Sequence, residues 1–316
     1  MFFGLKTGIR LGRGYFKIIS IMTNIRRFVT NRLIDVAALM TRIYVKKSKI
    51  TCAINISDQR KQKIIASITS YPDRFDVLPT TIKSIMLQTL KPDKIILWLG
   101  NDTNQTDLSD ELLGLENMGL EIRFVDENLM PHKKYLYAMR EYKEDTIITF
   151  DDDVVYSPFT ISSLIHCHYK NPNCVCARRV HKILIRDGKI LPYSEWEFNC
   201  TSIRQPSFQL FATGIGAVLY PPRCIDERGL DSNSIKNECL KADDVWLKVM
   251  ETLANTKVVW AKNFLIVPPD VKVNQLIGLA ADNVNGNQND IYINNLENNY
   301  HFETIIKENC FEGKKK

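Results

Sequence analysis

Apolar residues along this chain fall into short blocks, and the spacing within them switches between continuous runs and a period near four. Ile64-Ile65-Ala66-Ser67-Ile68 is a continuous run that predicts a strand buried on both faces. Tyr71-Pro72-Asp73-Arg74 turns the chain. Leu78, Ile82, Ile85, Met86 and Leu90 then mark one face of a helix, which Lys91-Pro92 ends. A second buried strand is expected over 94–99. A polar loop and a short helix over 108–118 come next, then a third strand over 120–125 and a basic helix over 133–142. A fourth strand, 146–150, runs directly into Asp151-Asp152-Asp153.

Strands alternating with helices at this spacing predict an α/β fold, a Rossmann-like and mostly parallel sheet flanked by helices. Such sheets bind ligands at the carboxyl ends of their strands, where the acidic run sits. The second half is less regular. A helix is expected from Ser157-Pro158 to Leu164, a strand-rich stretch to about Arg204, and a strand over 214–220 stopped by Pro221-Pro222. A helix over 240–253 and a strand over 257–260 complete the pattern. The Asn-rich stretch 283–299 and the tail 313–316 read as loop and frayed end.

Composition adds one asymmetry. With 45% hydrophobic and 25% charged residues the chain is an ordinary globular sequence, but its net charge of +6 is concentrated at one end. Residues 1–50 carry eleven Lys or Arg against the single acid Asp35, so the remaining residues are net acidic. A nucleic-acid-binding groove in the body of the protein is therefore not implied. Within the basic segment Ile18, Ile21, Met22, Ile25, Phe28, Val29, Val36, Leu39, Met40 and Ile43 fall near one helical face. No run is long enough to span a bilayer. The expectation is an amphipathic helical extension over 1–60 that either lies on an anionic membrane surface or packs on its own domain. A polar run over 57–63 separates this extension from the first predicted strand.

The eight cysteines are irregularly spaced, and His166-Cys167-His168 with Cys174 and Cys176 lacks zinc-finger spacing. Buried reduced thiols are expected, which favours a cytoplasmic protein.

Three successive carboxylates after a buried strand repel one another unless a cation relieves them. Along an extended or turning segment Asp151 and Asp153 point the same way. Two such oxygen donors suit Mg²⁺ or Mn²⁺, whose remaining positions go to water and phosphate. A solvated acidic turn is the alternative.

Three segments carry a resemblance: Ile65 to Arg74, Lys91-Pro92-Asp93-Lys94-Ile95-Ile96-Leu97-Trp98, and Thr149-Phe150-Asp151-Asp152-Asp153-Val154. Together they resemble bacterial glycosyltransferases of the A-type fold, related to family 2. The resemblance implies a nucleotide-sugar donor held by Thr69, Ser70, Tyr71, Arg74, Asp151 and Asp152. It also implies a metal on Asp151 and Asp153, and a basic pair, Lys133 and Lys134, facing the diphosphate. It covers roughly 63–260 and divides 61–265 into a nucleotide-sugar half, 61–153, and an acceptor half, 154–265; it does not account for 266–316, expected to be a C-terminal loop or helical tail. In inverting relatives an acid opening a late helix is the general base, which here implies Asp244, with Asp243 beside it. Helix N-capping is the other role open to either residue. Gly214 and Gly216 would admit a sugar close to the backbone, and Trp246 would stack on a sugar or sit in the core. No Gln-x-x-Arg-Trp motif lies beyond the late helix, which argues against a processive polysaccharide synthase.

The implied reaction is transfer of one sugar to a glycan or lipid-linked acceptor of cell-surface polysaccharide, at the cytoplasmic face of a membrane. A sugar nucleotidyltransferase would need a Gly-rich phosphate loop after the first strand, and Thr69 to Arg74 contains no glycine. A non-enzymatic membrane-associated module and an acid-pocket phosphoacceptor domain are the remaining alternatives.

Overall fold

The structure, a computed structural model, describes residues 32–33, 35–57, 60–262 and 288–311. The predicted stripe residues Ile18 to Val29, the Asn-rich positions before 288 and the tail 312–316 lie outside them.

Helix α1 covers 35–47. The first half of the sheet domain then runs β1 (Ile64–Thr69), α2 (Leu78–Met86), β2 (Lys94–Leu99), α3 (Asp110–Gly114), β3 (Leu120–Phe124), α4 (Lys133–Glu141) and β4 (Thr146–Phe150). The second half runs α5 (Thr160–Lys170), β5 (Val175–Ala177), β6 (Val180–Lys182), β7 (Ile185–Arg186), β8 (Lys189–Ile190), β9 (Leu210–Ala212) and β10 (Val218–Tyr220). It closes with α6 (Ser232–Glu238), α7 (Asp243–Leu253), β11 (Val258–Trp260), α8 (Gln288–Tyr300) and α9 (Phe302–Phe311).

A seven-stranded sheet has the order β11-β5-β10-β4-β1-β2-β3, with β10 antiparallel to both of its neighbours and the remaining pairs parallel. The chain leaves β1 for β2 and β3 on one side and returns to β4 on the other. The crevice at the ends of β1 and β4 is therefore the switch point where such sheets bind ligands. Successive side chains of each strand enter opposite cores. Ile65, Ile96, Trp98 and Ile147 pack beneath α4 and α7, whereas Ile64, Ala66, Ile68, Ile95, Leu97 and Ile148 pack beneath α2 and α5. Burial on both faces is why these strands are apolar runs rather than alternating ones, and each fully buried Ile or Leu contributes roughly 1.5–3 kcal/mol.

Four expectations are corrected. The 157–164 helix starts later and runs longer, as Thr160–Lys170. Gln88 bridges Ser157 O and the Ile161 N–H, which fixes the chain ahead of the helix. The single helix over 108–118 is a short α3 and then a separate turn, ended at Gly119 with φ +107°. The 214–220 strand is only Val218–Tyr220, because Gly216 and Ala217 are left-handed, with φ of +99° and +81°. Finally, much of the Asn-rich stretch is helix α8. Asn is a poor helix former, but Ile293 and Leu296 are buried against the main core, and Asn299 and Tyr300 both donate to Glu238. Tertiary packing outweighs propensity there.

Helix α1 docks through Ala38 and Val45 onto Leu87 and Val155. No helix of the described residues is long and apolar enough to cross a membrane.

Candidate active site

A cleft of about 460 Å³ opens at the carboxyl ends of β1 and β4 and gathers residues from both halves of the chain. Its floor is the acidic turn. The turn is held by its backbone: the Asp151 N–H donates to Tyr156 Oη at 2.8 Å, and Thr81 Oγ1 donates to Asp152 O at 2.9 Å.

The three carboxylates have three different surroundings. Asp152 is buried, accepting from Ser70 Oγ at 2.6 Å and from Arg74 Nη1 at 3.2 Å. Burial, helped by the adjacent carboxylates and opposed by Arg74, lifts its pKa to about 6. Asp153 pairs with Arg74 as well, and burial with the Asp151 charge raises its pKa. Asp151 accepts from Lys134 Nζ at 2.8 Å. Arg74 is oriented by Tyr71, whose hydroxyl accepts from Nε at 2.9 Å. Although burial disfavours its charge, Asp152 and Asp153 hold it firmly protonated.

Lys134 is the hinge between the halves of the site. Almost wholly buried, it lies 2.8 Å from Asp151 Oδ1 and 2.9 Å from Asp243 Oδ2. Burial opposes its charge, yet Asp151, Asp243 and Asp244 keep its pKa well above the usual lysine range. The same contact outweighs burial at Asp243, whose pKa falls below the ordinary value. Asp244 goes the other way. Burial and the Asp243 charge push it up to about 8, while the Gly214 N–H donates to Oδ1 and Oδ2 at 3.1 and 3.2 Å. Asp244 keeps more surface toward the cleft than Asp243, although protein atoms crowd around it. Neighbouring acids at the start of α7 thus reach opposite protonation tendencies, the usual mark of a structural anion beside a reactive one.

Gly214 touches both acidic centres. A Cβ there would lie 2.8 Å from Asp151 Oδ1 and 3.0 Å from Oδ2, so only glycine lets the turn pass this carboxylate.

Residues 68–216 match the family model for glycosyl transferase family 2. This segment is a family-2 glycosyltransferase domain. No curated protein matches the chain by sequence. Among solved structures, the mannosyltransferase PcManGT from Pyrobaculum calidifontis, in complex with GDP-Man and Mn²⁺, aligns with 90% of this chain and 83% of its own. The identity is 9% and the TM-score 0.45. S. aureus TarS 1-349 aligns with 63% of this chain and 58% of its own, at 12% identity and TM-score 0.39. CMP:2-keto-3-deoxy-manno-octonic acid synthetase, complexed with CTP, aligns with 63% and 89%, at 9% identity and TM-score 0.39. These likenesses are too distant to bear on substrate or mechanism.

Thr69, Ser70, Tyr71, Arg74, Lys133, Lys134, Asp151, Asp152, Asp153, Gly214, Asp243 and Asp244 all line one cavity. Two residues fall elsewhere. Trp246 is fully buried beneath α7, donating from Nε1 to Gly229 O at 3.1 Å and packing edge-on to Tyr300. Helix α7 presents Asp244 and Trp246 to different sides, so Trp246 cannot stack on a sugar. Gly216 is buried behind the cleft, where its positive φ shapes the turn. Lys133 reaches the cleft but spends its Nζ on Asn128 Oδ1 at 2.7 Å, and burial lowers its pKa.

Arg179, Tyr193, Thr213, Asn128 and Asn289 also line the cavity and carry no motif. Asn289 comes from the Asn-rich helix and Tyr193 from the irregular stretch, and only the fold brings them to the site. Arg178-Arg179 was the one legible signal, a basic pair directly after a short apolar run.

Proposed function

We propose that the chain transfers a sugar from a nucleotide-sugar donor to a hydroxyl of a glycan or lipid-linked acceptor, with inversion at the anomeric carbon. The observation that carries this reading is the placement of Asp244 in the same cleft as the acidic turn, on the far side of Lys134 and Gly214. Asp244 takes the proton of the acceptor hydroxyl, and the freed oxygen attacks the anomeric carbon. The bond from that carbon to the diphosphate oxygen breaks, and the nucleoside diphosphate leaves on the opposite side. A pKa lifted to about 8 makes Asp244 a stronger base than an ordinary carboxylate.

Asp151 and Asp153 fit a divalent cation. Each raises no more than one oxygen toward a protein cation, they lie close enough for Asp151 to raise the Asp153 pKa, and both keep surface toward the cleft. No group of three His, Cys, Asp or Glu side chains clusters as a metal site among the described residues, so water and diphosphate oxygens would complete the shell. Mg²⁺ or Mn²⁺ bound there supplies charge neutralisation at the leaving diphosphate. Arg74, oriented by Tyr71, and Lys133 present positive charge on the donor side.

Calorimetric titration with nucleoside diphosphates and nucleotide sugars, with and without Mn²⁺, tests this. The expected outcome is metal-dependent binding of one nucleotide that disappears in Asp153→Ala. Absence of binding by the folded wild-type chain refutes the reading.

The membrane-facing part of the proposal rests on α1. Ala38 and Val45 face the domain, whereas Val36, Met40, Ile43 and Tyr44 form an exposed apolar face on the other side. With the excess of basic residues in 1–50, that face suits an anionic lipid surface on the cytoplasmic side, where a lipid-linked acceptor would be met. Cosedimentation with anionic vesicles, lost in Met40→Glu/Ile43→Glu and weak with zwitterionic vesicles, is the expected result. Equal partition of wild type and variant excludes it.

A further inference from the structure

Four basic side chains line the cleft among the described residues, and three are claimed by the protein itself. Arg74 serves Asp152 and Asp153, Lys134 serves Asp151 and Asp243, and Lys133 donates to Asn128. Arg179 differs. Its Nε donates to Thr213 Oγ1 at 2.7 Å, which fixes the guanidinium plane, and among the described residues neither terminal nitrogen meets a carboxylate or any other acceptor.

The position of Arg179 separates it from the donor groups. It comes just after β5, which lies beyond β10 on one side of β4, whereas Arg74 comes after β1 on the other side. From β5 to β1 is three strand spacings, about 14 Å, so the two arginines enter the cleft from opposite ends. The Arg179 C=O accepts from the Thr213 N–H at 3.2 Å, and the next residue, Gly214, holds Asp244 through its own N–H. Arg179 and Asp244 are thereby fixed to one short stretch of backbone. Tyr193 stands beside both: their charges act on its ring hydroxyl in opposite directions, and that hydroxyl also has no hydrogen-bond partner among the described residues.

We propose that the acceptor carries an oxyanion, carboxylate or phosphate, close to the hydroxyl that reacts, and that Arg179 binds this group with Tyr193 alongside. The inference rests on Asp244 marking the acceptor end of the cleft. A guanidinium oriented through Nε presents its two terminal N–H groups as a fork, which matches both kinds of oxyanion. A neutral acceptor leaves a half-buried guanidinium unsatisfied, so Arg179 selects by penalty as well as by attraction.

The test titrates the full chain with methyl β-glucoside, methyl β-glucuronide and glucose 6-phosphate, in the presence and absence of nucleoside diphosphate. Wild type, Arg179→Gln and Arg179→Lys are compared, with circular dichroism establishing that each is folded. At least one charged sugar should bind wild type roughly tenfold or more tightly than the glucoside, as expected for a hydrogen bond to a charged group. Arg179→Gln should erase the difference and Arg179→Lys should retain part of it, with nucleoside diphosphate affinity unchanged in both. Whichever charged sugar binds more tightly identifies the group as carboxylate or phosphate. The proposal is overturned if wild type shows no preference for either charged sugar, or if Arg179→Gln weakens nucleoside diphosphate as much as the charged sugar. Failure of every nucleoside diphosphate to bind wild type would instead refute the transferase reading, and the sugar titrations would still decide the anion site.

Discussion

Gly214→Ala isolates the contact that ties the two acidic centres together. The added methyl carbon would stand 2.8 Å from Asp151 Oδ1, 3.0 Å from Oδ2 and 3.3 Å from Cγ. An ordinary carbon–oxygen contact begins near 3.4 Å, so the carboxylate must retreat by roughly 0.6 Å or the turn must shift by as much. Neither is free to do so. Oδ1 is held by Lys134 at 2.8 Å, and the Gly214 N–H is the backbone donor to Asp244. Overpacking of this kind costs about 1–3 kcal/mol of stability. The functional loss should be larger, because a displacement approaching 1 Å in a catalytic constellation costs on the order of 100-fold in rate. Thermal denaturation and steady-state transfer kinetics would be measured together, with Gly114→Ala as the control, since a methyl group there meets nothing within 4 Å. A folded Gly214→Ala with wild-type nucleotide affinity and turnover would refute the claim that Gly214 sets the Asp151 position.

Three further outcomes are expected. Asp244→Asn should lower kcat by roughly 10²- to 10⁴-fold with nucleotide affinity retained, and wild-type turnover should climb with pH up to about 8 as the carboxyl ionises. Equal loss in binding and turnover would remove it from the role of base. Lys134→Met leaves Asp151 and Asp243 facing each other without their shared cation and should destabilise the fold by about 3–5 kcal/mol in chemical denaturation, with Lys134→Arg much milder. His132 is buried between the Tyr135 hydroxyl and Cys239 O, and burial lowers its pKa to about 4. Its unfolded value is about 6.5, so the unfolded chain takes up the proton first, and stability present above pH 6.5 should fall by roughly 3 kcal/mol towards pH 4. A melting temperature flat across that range would contradict this.

The first half of the fold and the acidic turn were legible because their determinants are local. A strand covered on both faces must be an apolar run, and a helix on such a sheet must show one stripe, so β1 to β4 emerge from periodicity alone. The acidic turn is equally local, three carboxylates directly after a buried strand. The sequence by itself thus determined the α/β plan and the position of the acidic turn at a strand end, whereas the pairing of that turn with Asp243-Asp244 entered only through the family resemblance. What tertiary structure decided is which neighbour each charge meets. Lys134 reads as a cation facing the donor, yet folding places it between Asp151 and Asp243, and its burial there sends Asp243 and Asp244 apart. Trp246 reads as a sugar platform but lies on the core side of α7, and Asn289 reads as loop but lines the cleft. Arg179 and Asp244 are tied to one stretch of backbone only through the bonds that Thr213 and Gly214 make in the fold. Electrostatic identity depends on distance and burial, and neither is a property of spacing along a chain.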